Sequence, residues 1–158
     1  MAEVIPFRGL VYRPTAALGQ ESRDASSLLA PPYDVIGEAE RRSLAGQSAF
    51  NSVHLILPQP PVGAEGEARY AVAGATLLAW QRGQVVTRDE QPAFYRYHQV
   101  FSPPGEPSAA KVVRRGFIAR IRLHRFAEGV ILPHERTLSG PKVDRLKLKR
   151  ATRTHLSQ

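Results

Sequence analysis

The chain has 158 residues, of which 42% are apolar and 23% charged, enough core material for a fold and too little charge for a wholly disordered chain. It contains no cysteine, which excludes a disulfide scaffold, thiolate metal sites and a cysteine nucleophile. The net charge is +8, and its excess lies wholly in the last third, where residues 111–158 carry 13 basic and 3 acidic side chains against 9 and 11 in residues 1–110.

The opening VIPFRGLVYRP gathers Val4, Ile5, Phe7, Leu10, Val11 and Tyr12 around Pro6 and Gly9 and reads as a short edge strand or extended arm. Pro6 and Arg8 interrupt what a signal peptide would need, and nothing approaches the roughly 18 continuous apolar residues of a membrane span, so a cytoplasmic chain without membrane contact is expected. In APPYDVI, Pro31 and Pro32 lock the backbone and predict a rigid loop. That loop can present Tyr33 and Asp34 to a ligand; the plainer reading packs Tyr33 against a sheet and uses Asp34 to cap a helix in GEAERRSL. SVHLILP, residues 52–58, reads as a buried strand with His54 a satisfied histidine beside the core.

Residues 64–82 predict a helix whose apolar side carries Ala68, Ala71, Ala75, Leu78 and Ala79, with Gly74 a tolerated weakness and Gly83 the terminator. QVVTRD and AFYRYHQVF read as strands separated by an acidic turn, and SPPGEPSAA as an exposed connection. KVVRRGFIARIRLHRF alternates Phe117, Ala119, Ile121 and Leu123 with Ile118, Arg120, Arg122 and His124, a strand with one basic face. A short strand at Val130–Leu132 and a polar loop after Pro133 precede a basic helix, for which Ser139 is a cap and Pro141 suits the first turn. Strands interleaved with helices predict a single α+β domain over residues 1–158, a small mixed sheet with flanking helices.

The densest chemistry is PHERT followed by KVDRLKLKR. His134 is a proton carrier and Glu135 a carboxylate beside it, which makes them the candidate acid–base pair if a loop turns both inward. Arg136, Thr137, Arg145 and Lys149 can hold phosphate, helped by backbone donors at a helix start near Ser139. Arg145 and Lys149 lie four apart on one helix face, and Asp144 can hold Mg²⁺ beside a nucleotide, orient a basic neighbour, or simply favour the helix N-terminus. A nucleotide, a nucleic acid, and a solvated or partner-docking surface all fit this segment. The five histidines show no zinc spacing, and no GxxxxGK, GxGxxG, HExxH or GxSxG motif occurs, which removes conventional P-loop, dinucleotide-binding, zinc-protease and α/β-hydrolase readings. Phe94, Tyr95, Tyr97 and Phe101, with RRGF at 114–117, suit either base stacking or a strand core.

PFRGL, APPYDVI, SVHLILP, YAVAGATLLAWQRGQV, FYRYHQVF, RRGFIARIRL, GVILPHERT and KVDRLKLKRAT, in that order, resemble the DUF1015 family, whose biochemical role is not established. Its PYD and HERT motifs fall on Pro32, Tyr33 and Asp34 and on His134 to Thr137. Because family members are generally longer, the resemblance implies an N-terminal portion whose partner is a further C-terminal segment or a second copy. The family is remotely similar to the ParB and sulfiredoxin superfamily, whose members set phosphate groups against a polar loop and a helix start. That similarity implies a ParB/sulfiredoxin-like fold with His134, Glu135 and Arg136 in a nucleotide pocket and Arg145 as a further phosphate contact. The sulfiredoxin catalytic cysteine has no counterpart.

Overall fold

In the computed structural model, described for residues 1–13, 25–103, 110–133 and 139–156, the chain divides into two compact units. Val11–Thr87 with Thr137–Gln158 make a mainly helical unit, and Met1–Leu10 with Arg88–Arg136 make a β unit.

The helical unit contains α1 (Glu38–Gln47), α2 (Val53–Ile56), α3 (Ala68–Arg82) and α4 (Ser139–Thr152). SVHLILP is a helical turn rather than a strand. The β-branched run is overridden locally: Asn51 Oδ1 accepts the Val53 N–H at 2.9 Å and starts the turn, which then buries Val53, Leu55 and Ile56 together. Asn51, itself fully buried, also donates through Nδ2 to the carbonyls of Ser27 and Leu29 at 2.8 and 3.1 Å, which ties α2 to a 3₁₀ turn at Ser26–Leu28. His54 is half-buried with Nε2 3.1 Å from the Ser48 carbonyl, the satisfied histidine expected.

Helix α3 forms where predicted but turns a different face inward. Tyr70, Ala73, Leu77 and Trp80 are buried, while Ala71, Ala75, Leu78 and Ala79 are exposed. Alanines occur nearly all round this helix, so the three large side chains decide the orientation through the area they remove from water. Leu148 of α4 packs on Tyr70 and Ala73, with Leu156 against the same cluster. Gly74 is a requirement of this packing: a Cβ there would stand 2.9 Å from the Ala151 carbonyl oxygen of α4. At the end of α3 the left-handed residue is Gln84 (φ 57°), one beyond Gly83. Trp80 stacks near Tyr12 and Phe50, with ring centroids 5.9 and 6.0 Å away, and β2 (Leu10–Tyr12) pairs with β3 (Val86–Arg88).

In the β unit, β1 (Val4–Ile5) pairs antiparallel with β6 (Arg120–Ile121), and β4 (Tyr95–Phe101) with β5 (Val112–Ile118). The described residues therefore hold three separate two-stranded sheets in place of one mixed sheet. The strand predicted in KVVRRGFIARIRLHRF, residues 111–126, is cut at Ala119, where pairing passes from β4 to β1, and its apolar side is not a core face: Phe117, Ile121 and Leu123 are all exposed. Val130–Leu132 form no strand, the chain having turned at Gly129 (φ 65°) after a 3₁₀ turn at Phe126–Glu128. The Tyr95 hydroxyl accepts the Gly9 N–H and donates to Asp89 Oδ2, both at 2.6 Å, and Asp89 holds the Tyr95 phenol above its usual range. An α+β composition with small antiparallel sheets follows from these elements.

Candidate functional site

A cleft of about 220 Å³ opens in the helical unit. Gly37, Glu38 and Arg41 line it from the start of α1, Leu57 to Gln59 from the segment after α2, Arg69 and Tyr70 from α3, and Asp144 and Arg145 from α4. Volumes of about 300 Å³ and above are usual for sites that enclose a drug-sized ligand, so this cleft has room for phosphate groups rather than for a whole nucleotide.

The wall built by α3 and α4 is an ion-pair network centred on Asp144. Its Oδ1 accepts from Tyr70 Oη at 2.7 Å and Arg69 Nη2 at 2.8 Å, and Arg69 Nη2 also lies 2.9 Å from the Tyr70 hydroxyl. Its Oδ2 accepts from Arg145 Nε at 2.9 Å and from Arg145 Nη2. Arg145 Nη1 donates to the Ile56 carbonyl at 2.8 Å, and its guanidinium lies over the Tyr33 ring at 4.0 Å from the centroid. Burial pushes the Asp144 carboxyl up, but the bonds from Tyr70 and Arg145 and the charges of Arg145 and Arg69 outweigh it and hold the group below its ordinary value. The bond with Tyr70 raises Arg69, against a smaller opposing effect of burial.

The opposite wall is less satisfied. No side chain caps α1, whose N-cap is the extended Gly37, and its first helical bond runs from Arg41 N to the Gly37 carbonyl at 2.8 Å. The donors before Arg41 therefore lie at an open positive helix end. Arg41 Nε is screened from solvent without a hydrogen-bond partner, and Glu38 Oε2 stands 3.7 Å away, beyond hydrogen-bond reach. Glu38 is also 3.5 Å from Arg42 Nε and is an exposed, loosely held carboxylate.

Of the residues singled out from sequence, Tyr33, Asp144 and Arg145 come together here. Asp34 is exposed and caps nothing, since Gly37 occupies the cap position; Tyr33 packs under Arg145 rather than on a sheet. Lys149 is exposed on α4 outside the cleft lining. His134, Glu135, Arg136 and Thr137 lie outside the described residues. Both Asp144 oxygens are engaged by donors, and among the described residues no group of three His, Asp or Glu side chains gathers as a metal site. Arg41, Arg69 and Tyr70 were not legible as site residues: 75 positions separate Arg69 from Asp144, and no local spacing announces such a pair.

Among the described residues no helix is long and apolar enough to cross a membrane. The chain is thus an α+β protein with a guanidinium-lined cleft. It belongs to the family described as a protein of unknown function, DUF1015, whose model matches residues 4–158. No curated protein and no solved structure matches it.

Proposed function

We propose that this cleft binds a nucleotide by its phosphates. The observation that carries the reading is Arg41, whose screened Nε donor has no acceptor at the uncapped start of α1, facing a cleft already lined by Arg69 and Arg145. A phosphate oxygen supplies the missing acceptor, and its charge suits the helix end and the guanidinium groups. Glu38, held only at 3.5 to 3.7 Å, swings out as the anion enters. Asp144 fixes Arg145 and Arg69 in place, and Tyr33 supports Arg145 from below. The small volume leaves the nucleoside outside the described cleft, so affinity rests on the phosphates.

Phosphoryl transfer or hydrolysis belongs to the same proposal, with His134 moving the proton, Glu135 engaging the nucleophile or Mg²⁺, and Arg136 and Thr137 holding phosphate. A ParB/sulfiredoxin-like arrangement and a cytoplasmic place of action accompany it. Calorimetric titration of the whole chain with nucleoside mono-, di- and triphosphates, with and without Mg²⁺, tests it. Binding should be saturable, and R41A should weaken it by about tenfold or more, as expected for a charge-assisted bond. Absence of saturable heat for every nucleotide would overturn the reading.

A further inference from the structure

The β unit carries a second surface, formed by the two-stranded ribbon of β4 and β5. In its register Arg96 faces Phe117 and His98 faces Arg115, and paired residues of an antiparallel ladder project to the same side. Phe94 continues that side and meets Phe117 edge-on, with ring centroids 6.4 Å apart. All five of these side chains are exposed, Phe117 at 66% and Phe94 at 53%. Two phenyl rings held in water beside two guanidinium groups are unfavourable for the isolated chain, and an exposed set of this kind marks a surface used for binding.

We infer that this face binds a single-stranded polynucleotide. Charge decides among the occupants. The strands Tyr95–Phe101 and Val112–Ile118 contain three arginines, one histidine and no carboxylate. A second copy laid face to face would set arginine against arginine, whereas an acidic peptide meets the charge and leaves the rings without a flat partner. A single strand supplies both complements, phosphates for Arg96 and Arg115 and bases to stack on Phe94 and Phe117. On the other side of the ribbon Arg114 already lies over the Phe101 ring at 5.5 Å, the same guanidinium and ring combination satisfied within the chain. The exposed face is the one whose rings and charges await a ligand.

The test is fluorescence anisotropy with labelled DNA and RNA 12-mers, single-stranded and duplex, titrated with the whole chain at several salt concentrations. Single strands should bind more tightly than duplex, and the ratio of RNA to DNA affinity identifies the source of the strand. F94A/F117A should weaken binding by about 30-fold or more with little change in salt dependence, because two stacking contacts rather than charge are lost. R96A/R115A should also weaken it and reduce the slope of log affinity against log salt by about 1.4, two phosphate contacts' worth. Circular dichroism melts matching the parent confirm that the variants fold. The inference is overturned if neither double variant alters binding, or if heparin competes equally against parent and F94A/F117A. It is equally overturned if the parent binds no strand but dimerises or binds an acidic peptide through the two phenylalanines.

Discussion

Replacing Asp144 by alanine removes the acceptor shared by Tyr70, Arg69 and Arg145; Arg69 keeps the Tyr70 hydroxyl as acceptor and Arg145 Nη1 keeps the Ile56 carbonyl, while the Tyr70 hydroxyl and Arg145 Nε and Nη2 lose theirs. Hydrogen bonds to a charged group are worth about 1.5 to 3 kcal/mol each, and stranding a buried ionic partner costs about 3 to 5 kcal/mol. The Arg69 side chain is 41% exposed, so water replaces most of its loss, whereas Asp144 and Arg145 are 25% and 20% exposed and Tyr70 is buried. The expected destabilisation is therefore about 3 kcal/mol, governed by Tyr70 and Arg145, or a fall in melting temperature of about 6 to 12 °C for a chain of this length. Urea denaturation followed by the fluorescence of Trp80, the sole tryptophan, reads this directly because Trp80 is buried in the same unit. The folded carboxyl titrates below its unfolded value, so its contribution is complete above the unfolded value of about 4 and is lost as pH falls through the lower folded one. The gap between parent and D144A should be constant from pH 7 to 5 and close at lower pH. A loss under about 0.5 kcal/mol, the range of an ordinary surface change, or a gap that persists undiminished in acid, would refute the argument.

Gly74→Ala tests the helix contact. Alanine favours an isolated helix by about 1 kcal/mol, but its Cβ would press on the Ala151 carbonyl at 2.9 Å, and overpacking of about 1 to 3 kcal/mol should give net destabilisation by urea melt. Asn51→Ala should cost about 1 to 3 kcal/mol, since it strands the buried Val53 N–H and removes the donor to the part-buried carbonyls of Ser27 and Leu29; hydrogen exchange should show α2 opening first.

Helix α3, helix α1 and the strands flanking residues 102–111 were readable because period and breakers agreed over enough residues. The turn at Val53–Ile56 was not, because an apolar run of that length suits either state and the deciding group, Asn51, acts through carbonyls 22 and 24 positions away. The buried side of α3 is not the one its pattern suggests, since four alanines and Leu78 match a stripe while Tyr70, Leu77 and Trp80 supply the area. At the site, the KVDRLK segment pointed to Asp144 and Arg145, and PYD to Tyr33. Their partners came from helices whose polar residues look solvated until α4 folds beside them.

The helical unit is discontinuous in sequence, since residues 11–87 find the last part of their core in 137–158. Tyr70 and Ala73 can form α3 as soon as they leave the ribosome, but Leu148 arrives more than seventy residues later, after the entire β unit. At about 5 to 20 residues per second this leaves α3 waiting several seconds with its inner face open, a window in which a chaperone or a misplaced neighbour competes for it. Closure of such a long loop also slows folding more than it reduces stability. The contact between Gly74 and Ala151 is consequently a late event of folding, and weakening it should speed unfolding far more than it slows refolding.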